Sequence, residues 1–253
     1  MKKLINWFRW KFRILPKWDE CRRASCWSGN NAAKRMMNML SPSMPESTFR
    51  ERVKWMLDRG CDTVHWFVAN KADGEFSGYC IYGRRWDWQV DKSTVALFKK
   101  RIDYVRKRGM AVVLWLMADD SSEWAKAAID NLAPYLAGLD EHGLFDQAST
   151  VVVGLEADEY WSQGQVATFI AALRRHYKGR IGVHHSHGFR DAHLADVLFL
   201  QVNPGLTPDQ IRSAVIGAKA TGKPVNAFEL DRHENRKLAE AAISAGAFGV
   251  GNW

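Results

Sequence analysis

The chain predicts a single-domain α/β protein, a (β/α)8 (TIM) barrel, and three observations carry that prediction. Its 253 residues include no Gly/Ser/Pro linker, repeat or low-complexity stretch that would divide it. Eight apolar runs follow one another with helical patterns between them, as alternating strands and helices of a parallel sheet do. Nearly every apolar run ends in polar residues, which would be costly to bury without a role or a partner. With 47% hydrophobic and 25% charged residues the composition is that of an ordinary globular core.

Taken in order, the first strand is the weakest, RASCWS at 23–28. The second and third, CDTVHWFVAN at 61–70 and MAVVLWLMAD at 110–119, are long and apolar, and the fourth is STVVVGLEA at 149–157. RIGVHHS (180–186), DVLFLQVN (196–203), KPVNAFEL (223–230) and GAFGVGNW (246–253) complete the set. Runs of this kind suit strands covered on both faces. Phe49, Val53, Met56 and Leu57 recur at helical spacing, as do Val95, Phe98, Ile102 and Val105, and then Val166, Phe169, Ile170 and Leu173. Thr207-Pro208 ahead of Ile211, Val215 and Ala218 supplies an N-cap with proline at the first helical position. Gly60, Gly109, Gly222 and Gly246 each stand between a helix and a strand, where a left-handed C′ residue is expected. The sequence ends at the eighth strand, so no helix is expected after it. A doubly wound open sheet competes, but no Gly-rich phosphate loop follows the first strand.

Charge divides the chain into two parts, residues 1–18 and the barrel at 19–253. The leader holds six bases, Lys2, Lys3, Arg9, Lys11, Arg13 and Lys17, and no acid; subtracting them from the net +8 leaves +2. A nearly neutral body argues against nucleic acid as a partner. The bases interleave with Trp7, Phe8, Trp10 and Phe12, which breaks the apolar stretch that a secretory signal needs. The leader is expected to be a helix packed on the body, filling the place of the absent eighth helix. A weak contact with a membrane surface through residues 1–18 is the alternative. Cys21, Cys26, Cys61 and Cys80 form no CxxC pair, so they read as reduced thiols in a cytoplasmic protein, or one released without a signal peptide.

Chemistry in such a barrel gathers where strands end. The fourth strand ends in Glu156 and the seventh in Glu229. Side chains alternate along a strand, so Val152, Gly154 and Glu156 are expected to share one face, and Val225, Ala227 and Glu229 another, both turned into the mouth. Two facing carboxylates are the minimum equipment for glycoside hydrolysis: one donates a proton to the leaving oxygen, the other attacks the anomeric carbon or activates water.

This layout resembles the clan of retaining glycoside hydrolases on (β/α)8 barrels, whose acid/base glutamate ends strand four and whose nucleophile ends strand seven. The resemblance implies Glu156 as acid/base and Glu229 as nucleophile, with Trp253 of GVGNW as the tryptophan that floors the subsite beside the cleaved bond. It runs from about residue 23 to the end on short motifs. It departs where the clan has an asparagine before the acid/base, since here Leu155 precedes Glu156. Contact with the sugar 2-hydroxyl then falls to Asn203 or Gln201, or the substrate differs. The strand-six Tyr or His of the clan is not evident.

Aromatic residues fit a carbohydrate substrate. The long loop after the second strand carries Tyr82, Trp86 and Trp88, Trp161 follows the acid/base candidate, and the chain holds 12 Trp in all. A rival site lies in HHSH, where His185 and His187 share a strand face and, with Asp119, could serve a metal-dependent hydrolase. The strand-one HxH of such barrels is missing, so neither a metal nor another cofactor is expected, and both histidines and Asp119 are read as contacts to sugar or carboxylate. A carbohydrate-binding barrel without activity is the third reading.

Overall fold

In the computed structural model the described residues are 37–58, 61–70, 76, 79, 90–117, 129–186, 188–201, 206–230 and 236–252. In chain order they form α1 (Glu46–Asp58), β1 (Thr63–Phe67), α2 (Lys92–Arg106), β2 (Ala111–Trp115), α3 (Leu132–Glu141), β3 (Thr150–Val152), α4 (Ala157–Tyr160), α5 (Gln163–His176), β4 (Arg180–His185), β5 (Val197–Gln201), α6 (Pro208–Lys219), β6 (Val225–Leu230), α7 (Arg236–Ser244) and β7 (Gly249–Asn252). The seven strands pair in sequence order and all in parallel. They are the second to eighth strands expected. The first, at 23–28, and the leader lie outside the described residues.

The sheet curls into a barrel, because side chains of distant strands meet inside it. His65 of β1 stands 4.9 Å from Phe228 of β6 and 5.7 Å from Phe199 of β5, ring centre to ring centre. Trp115 of β2 stacks on Phe228 at 4.8 Å and lies 5.4 Å from His184 of β4. Register agrees: His184 pairs with Phe199, and Phe199 with Asn226, so all three share the inner face. This is a packed interior, not a pore. Gly182 belongs to it, since a Cβ there would come within 2.5 Å of the Phe199 ring.

The inner face corrects the expected parity of β6. Asn226 and Phe228 face the interior, while Val225 and Ala227 pair with Leu198 and Leu200 on the helix side. Alternation then breaks, because Ala227 pairs with Val250 but Leu230 with Asn252, three steps on β6 against two on β7. That bulge spans Phe228 and Glu229, so parity cannot be carried from Ala227 to Glu229. The Glu229 side chain lies outside the described residues.

The outer helices start as the sequence expects. Ser162 and Thr207 close capping boxes with Gln165 and Gln210, and Pro208 opens α6. Gly109, Gly222 and Gly246 all take positive φ, the C′ conformation expected of them. Helix α7 is the helical pattern expected ahead of Gly246, while α3 was not singled out by its spacing. On α2, Arg101 is buried and donates to the carbonyls of Met39, Ser41 and Met44 at 2.9, 2.6 and 2.6 Å. Its guanidinium also lies over the Phe49 ring of α1. One side chain thus satisfies three carbonyls of the turn that leads into α1.

Replacing Arg101 with Met strands those carbonyls, at about 1–3 kcal/mol for each one left buried and unpaired. R101M is expected to lower unfolding stability by at least about 3 kcal/mol in urea titration. A loss below about 1 kcal/mol would contradict the assignment.

Candidate active site

The site is built on the turn that follows β3. After Val152 the chain continues through Val153 and Gly154, and the Leu155 amide donates to the Met117 carbonyl at 3.1 Å. Glu156 then takes φ 48° and ψ 42°, the left-handed conformation, and opens the single-turn helix α4. Glutamate rarely adopts it, because its Cβ crowds the following carbonyl. The Glu156 amide points at His184 Nδ1, 2.9 Å away. A second tie lies two residues on, where Asp158 accepts the Ser186 amide at 2.8 Å. The two bonds pin the acidic turn to the C-terminal end of β4. Asp158 therefore holds the turn, and Glu156 is half-buried beside it.

His184 is completely buried in the aromatic interior. Since Nδ1 accepts the Glu156 amide, the neutral ring carries its proton on Nε2. Burial, together with the neighbouring His185, pushes its pKa down to about 3. His65, in the same interior, is pushed down to about 3 by burial alone, and its Nδ1 accepts the Trp115 indole N–H at 3.2 Å. Both rings are neutral at physiological pH.

His185 faces the other way from His184. It is buried on the helix side, with Nε2 2.9 Å from the fully buried Asp191, whose carboxylate Arg190 also engages. Trp161 is likewise buried, stacked 5.2 Å from Phe169 of α5, while its carbonyl accepts from Arg190. Gln201 ends β5 on the inner face, in register with Phe228, and its Oε1 has no hydrogen-bond partner among the described residues. Asp119, His187, Asn203, Trp253, Trp86, Trp88 and Tyr82 lie outside the described residues. Among the described residues no group of three His, Cys, Asp or Glu side chains could hold a metal ion. No helix among them is long and apolar enough to cross a membrane.

His184 was not singled out among the strand-end histidines, because contacts with other strands decide which face of β4 turns inward. The left-handed backbone of Glu156 was not expected either, since no residue type gives a signal for it.

No family model and no curated protein sequence matches the chain. Solved structures do match, at low identity. A hyperthermophilic endo-β-1,4-glucanase, solved with substrate, is 12% identical, with 93% of this chain and 90% of that one covered at a TM-score of 0.61. A GH113 β-mannanase from Alicyclobacillus acidocaldarius is 15% identical, with 91% and 86% covered at 0.55. A family 1 β-glucosidase from Thermotoga maritima is 12% identical, with 81% and 76% covered at 0.57. The likeness is one of fold: this chain is a (β/α)8 barrel.

Neutral buried histidines make stability depend on pH. Their folded pKa is below the unfolded value near 6.5, so they favour the fold fully above that pH. The contribution is lost as pH falls toward 3, at up to about 1.4 kcal/mol per pH unit for each ring. In urea titrations across pH 7 to 4, the stability of H65F relative to the wild type is expected to rise as pH falls, because the variant lacks one such group. A constant difference would contradict this.

Proposed function

We propose that the protein is a glycoside hydrolase that cleaves a β-linked polysaccharide or glycan with retention of configuration, Glu156 serving as acid/base and Glu229 as nucleophile. The observation that carries the reading is the left-handed Glu156 at the end of the fourth barrel strand. A glutamate persists in that conformation only where its surroundings over-determine it, and such residues cluster at functional sites. The bulge at Phe228 and Glu229 supports the second role, since bulges beside active sites re-aim side chains. A fold shared with proteins described as a mannanase, a glucosidase and an endoglucanase supports a sugar substrate.

In this reading the protonated Glu156 donates its proton to the glycosidic oxygen while the Glu229 carboxylate attacks the anomeric carbon. The bond to the leaving sugar breaks and a glycosyl ester of Glu229 forms. Glu156, now a carboxylate, takes a proton from a water molecule as its oxygen attacks the same carbon, which frees Glu229 and restores the acid. Gln201, turned inward with an acceptor unpaired among the described residues, is assigned to sugar hydroxyls together with Asn203. Trp253 is assigned the floor of the cleaved-bond subsite, and Tyr82, Trp86 and Trp88 the outer wall. Asp119 and His187 are assigned to the mouth, where they orient sugar or carboxylate. His185 and Trp161 are left out of the sugar contacts, since both are buried in the layer behind the mouth.

The test is hydrolysis of β-mannan, β-glucan and p-nitrophenyl β-glycosides by wild type, E156Q and E229Q. On unactivated glycosides E156Q is expected to lower kcat by about 10²–10⁴-fold, and far less when nitrophenolate leaves, because that group needs no proton. E229Q is expected to lower both alike. Equal turnover by E229Q and wild type would contradict the assignment.

A further inference from the structure

We propose that His184 is a positioning residue: its Nδ1 lone pair holds the Glu156 backbone in the left-handed turn, and so sets where that carboxylate stands relative to β6. The inference rests on the glycosidase reading of Glu156 and goes beyond it, since His184 need touch no substrate.

A left-handed glutamate must be held, and the chain on either side of it is anchored. The Leu155 amide is spent on Met117 of the neighbouring strand end, which fixes the chain before the turn. Asp158 is spent on Ser186, which fixes it after the turn. The Glu156 carbonyl accepts the Glu159 amide at 3.0 Å, and the bond from its own amide to Nδ1, 2.9 Å long, fixes the other side of the unit. Water could not substitute, because His184 is completely buried.

His184 is in turn held by what surrounds it. Its ring stands 5.4 Å from Trp115 and 5.8 Å from Phe228, steeply inclined to both. Phe228 is the residue before Glu229 and opens the bulge of β6. One imidazole therefore bonds the turn that bears Glu156 and packs on the strand that bears Glu229. Close-packed interiors resist displacement, so the ring acts as a spacer between the two. Retaining chemistry depends on the separation of its carboxylates, which gives such a spacer a catalytic consequence.

Two variants separate its parts. H184F keeps an aromatic ring but offers no acceptor. H184N places Oδ1 about where Nδ1 stood but removes the ring. The readouts are hydrogen exchange of the Glu156 amide, and kcat and KM on p-nitrophenyl β-cellobioside and β-mannobioside. H184F is expected to speed exchange at Glu156 at least tenfold, with Val183 and Phe199 still protected, and to lower kcat about 10²-fold with KM within threefold. H184N is expected to restore protection at Glu156 and at least tenfold of the rate. Unchanged exchange in H184F, or kcat within threefold of an active wild type, overturns the proposal. If the wild type cleaves no glycoside, the glycosidase reading fails and exchange alone decides the positioning role. If H184F does not fold, the ¹⁵N shifts of wild-type His184 decide: a bare Nδ1 sustains the proposal, and a protonated Nδ1 overturns it.

Discussion

The hydrogen bond from the Glu156 amide to His184 Nδ1 is the interaction on which the architecture of the site depends. It requires an imidazole that is neutral, and the protein secures this by enclosing the ring in the barrel interior with Trp115 and Phe228. It also requires a backbone that glutamate resists, at a cost of about 1–2 kcal/mol. The bond offsets that cost locally, and the Asp158–Ser186 tie keeps the turn from relaxing at its far end. Among the described residues, His65, Trp115, His184, Phe199 and Phe228 fill the interior. In the proposed function the sugar binds at the C-terminal mouth, on top of that aromatic layer.

The same layer explains why carboxylates end apolar strands here. The segment VVVGLEADE passes from a strand covered on both faces to a turn at the rim, and its acids divide their tasks. Asp158 holds the neighbouring strand end, while Glu156 stays half-buried beside the interior. On β4 the adjacent histidines divide in the same manner. His184 faces inward to serve the turn, and His185 faces the helices to meet Asp191.

Much of the fold was legible in the residues. Apolar runs located the seven described strands, and 3.6-residue spacing located α1, α2, α5 and α6, with Thr207-Pro208 marking its helix start to the residue. Helix α3 was obscured by Pro134 and Gly138 inside it, while α7 was marked by the helical pattern ahead of Gly246. The site was less legible, for two physical reasons. A strand's alternation has two phases, and only contacts with other strands choose between them; that choice put His184 inside instead of His185, and Phe228 inside instead of Ala227. A bulge is a property of two strands in register, so VNAFEL alone carries no mark of the extra residue.

In the glycosidase we propose, the strained turn after β3 and the bulge in β6 bring two glutamates face to face for retaining hydrolysis. The most direct test is the carboxyl-to-carboxyl distance between Glu156 and Glu229 in a crystal structure of the active protein. A separation of about 5–5.5 Å is expected. A separation beyond about 10 Å, or a Glu229 carboxylate turned outward to the helix layer, would contradict it.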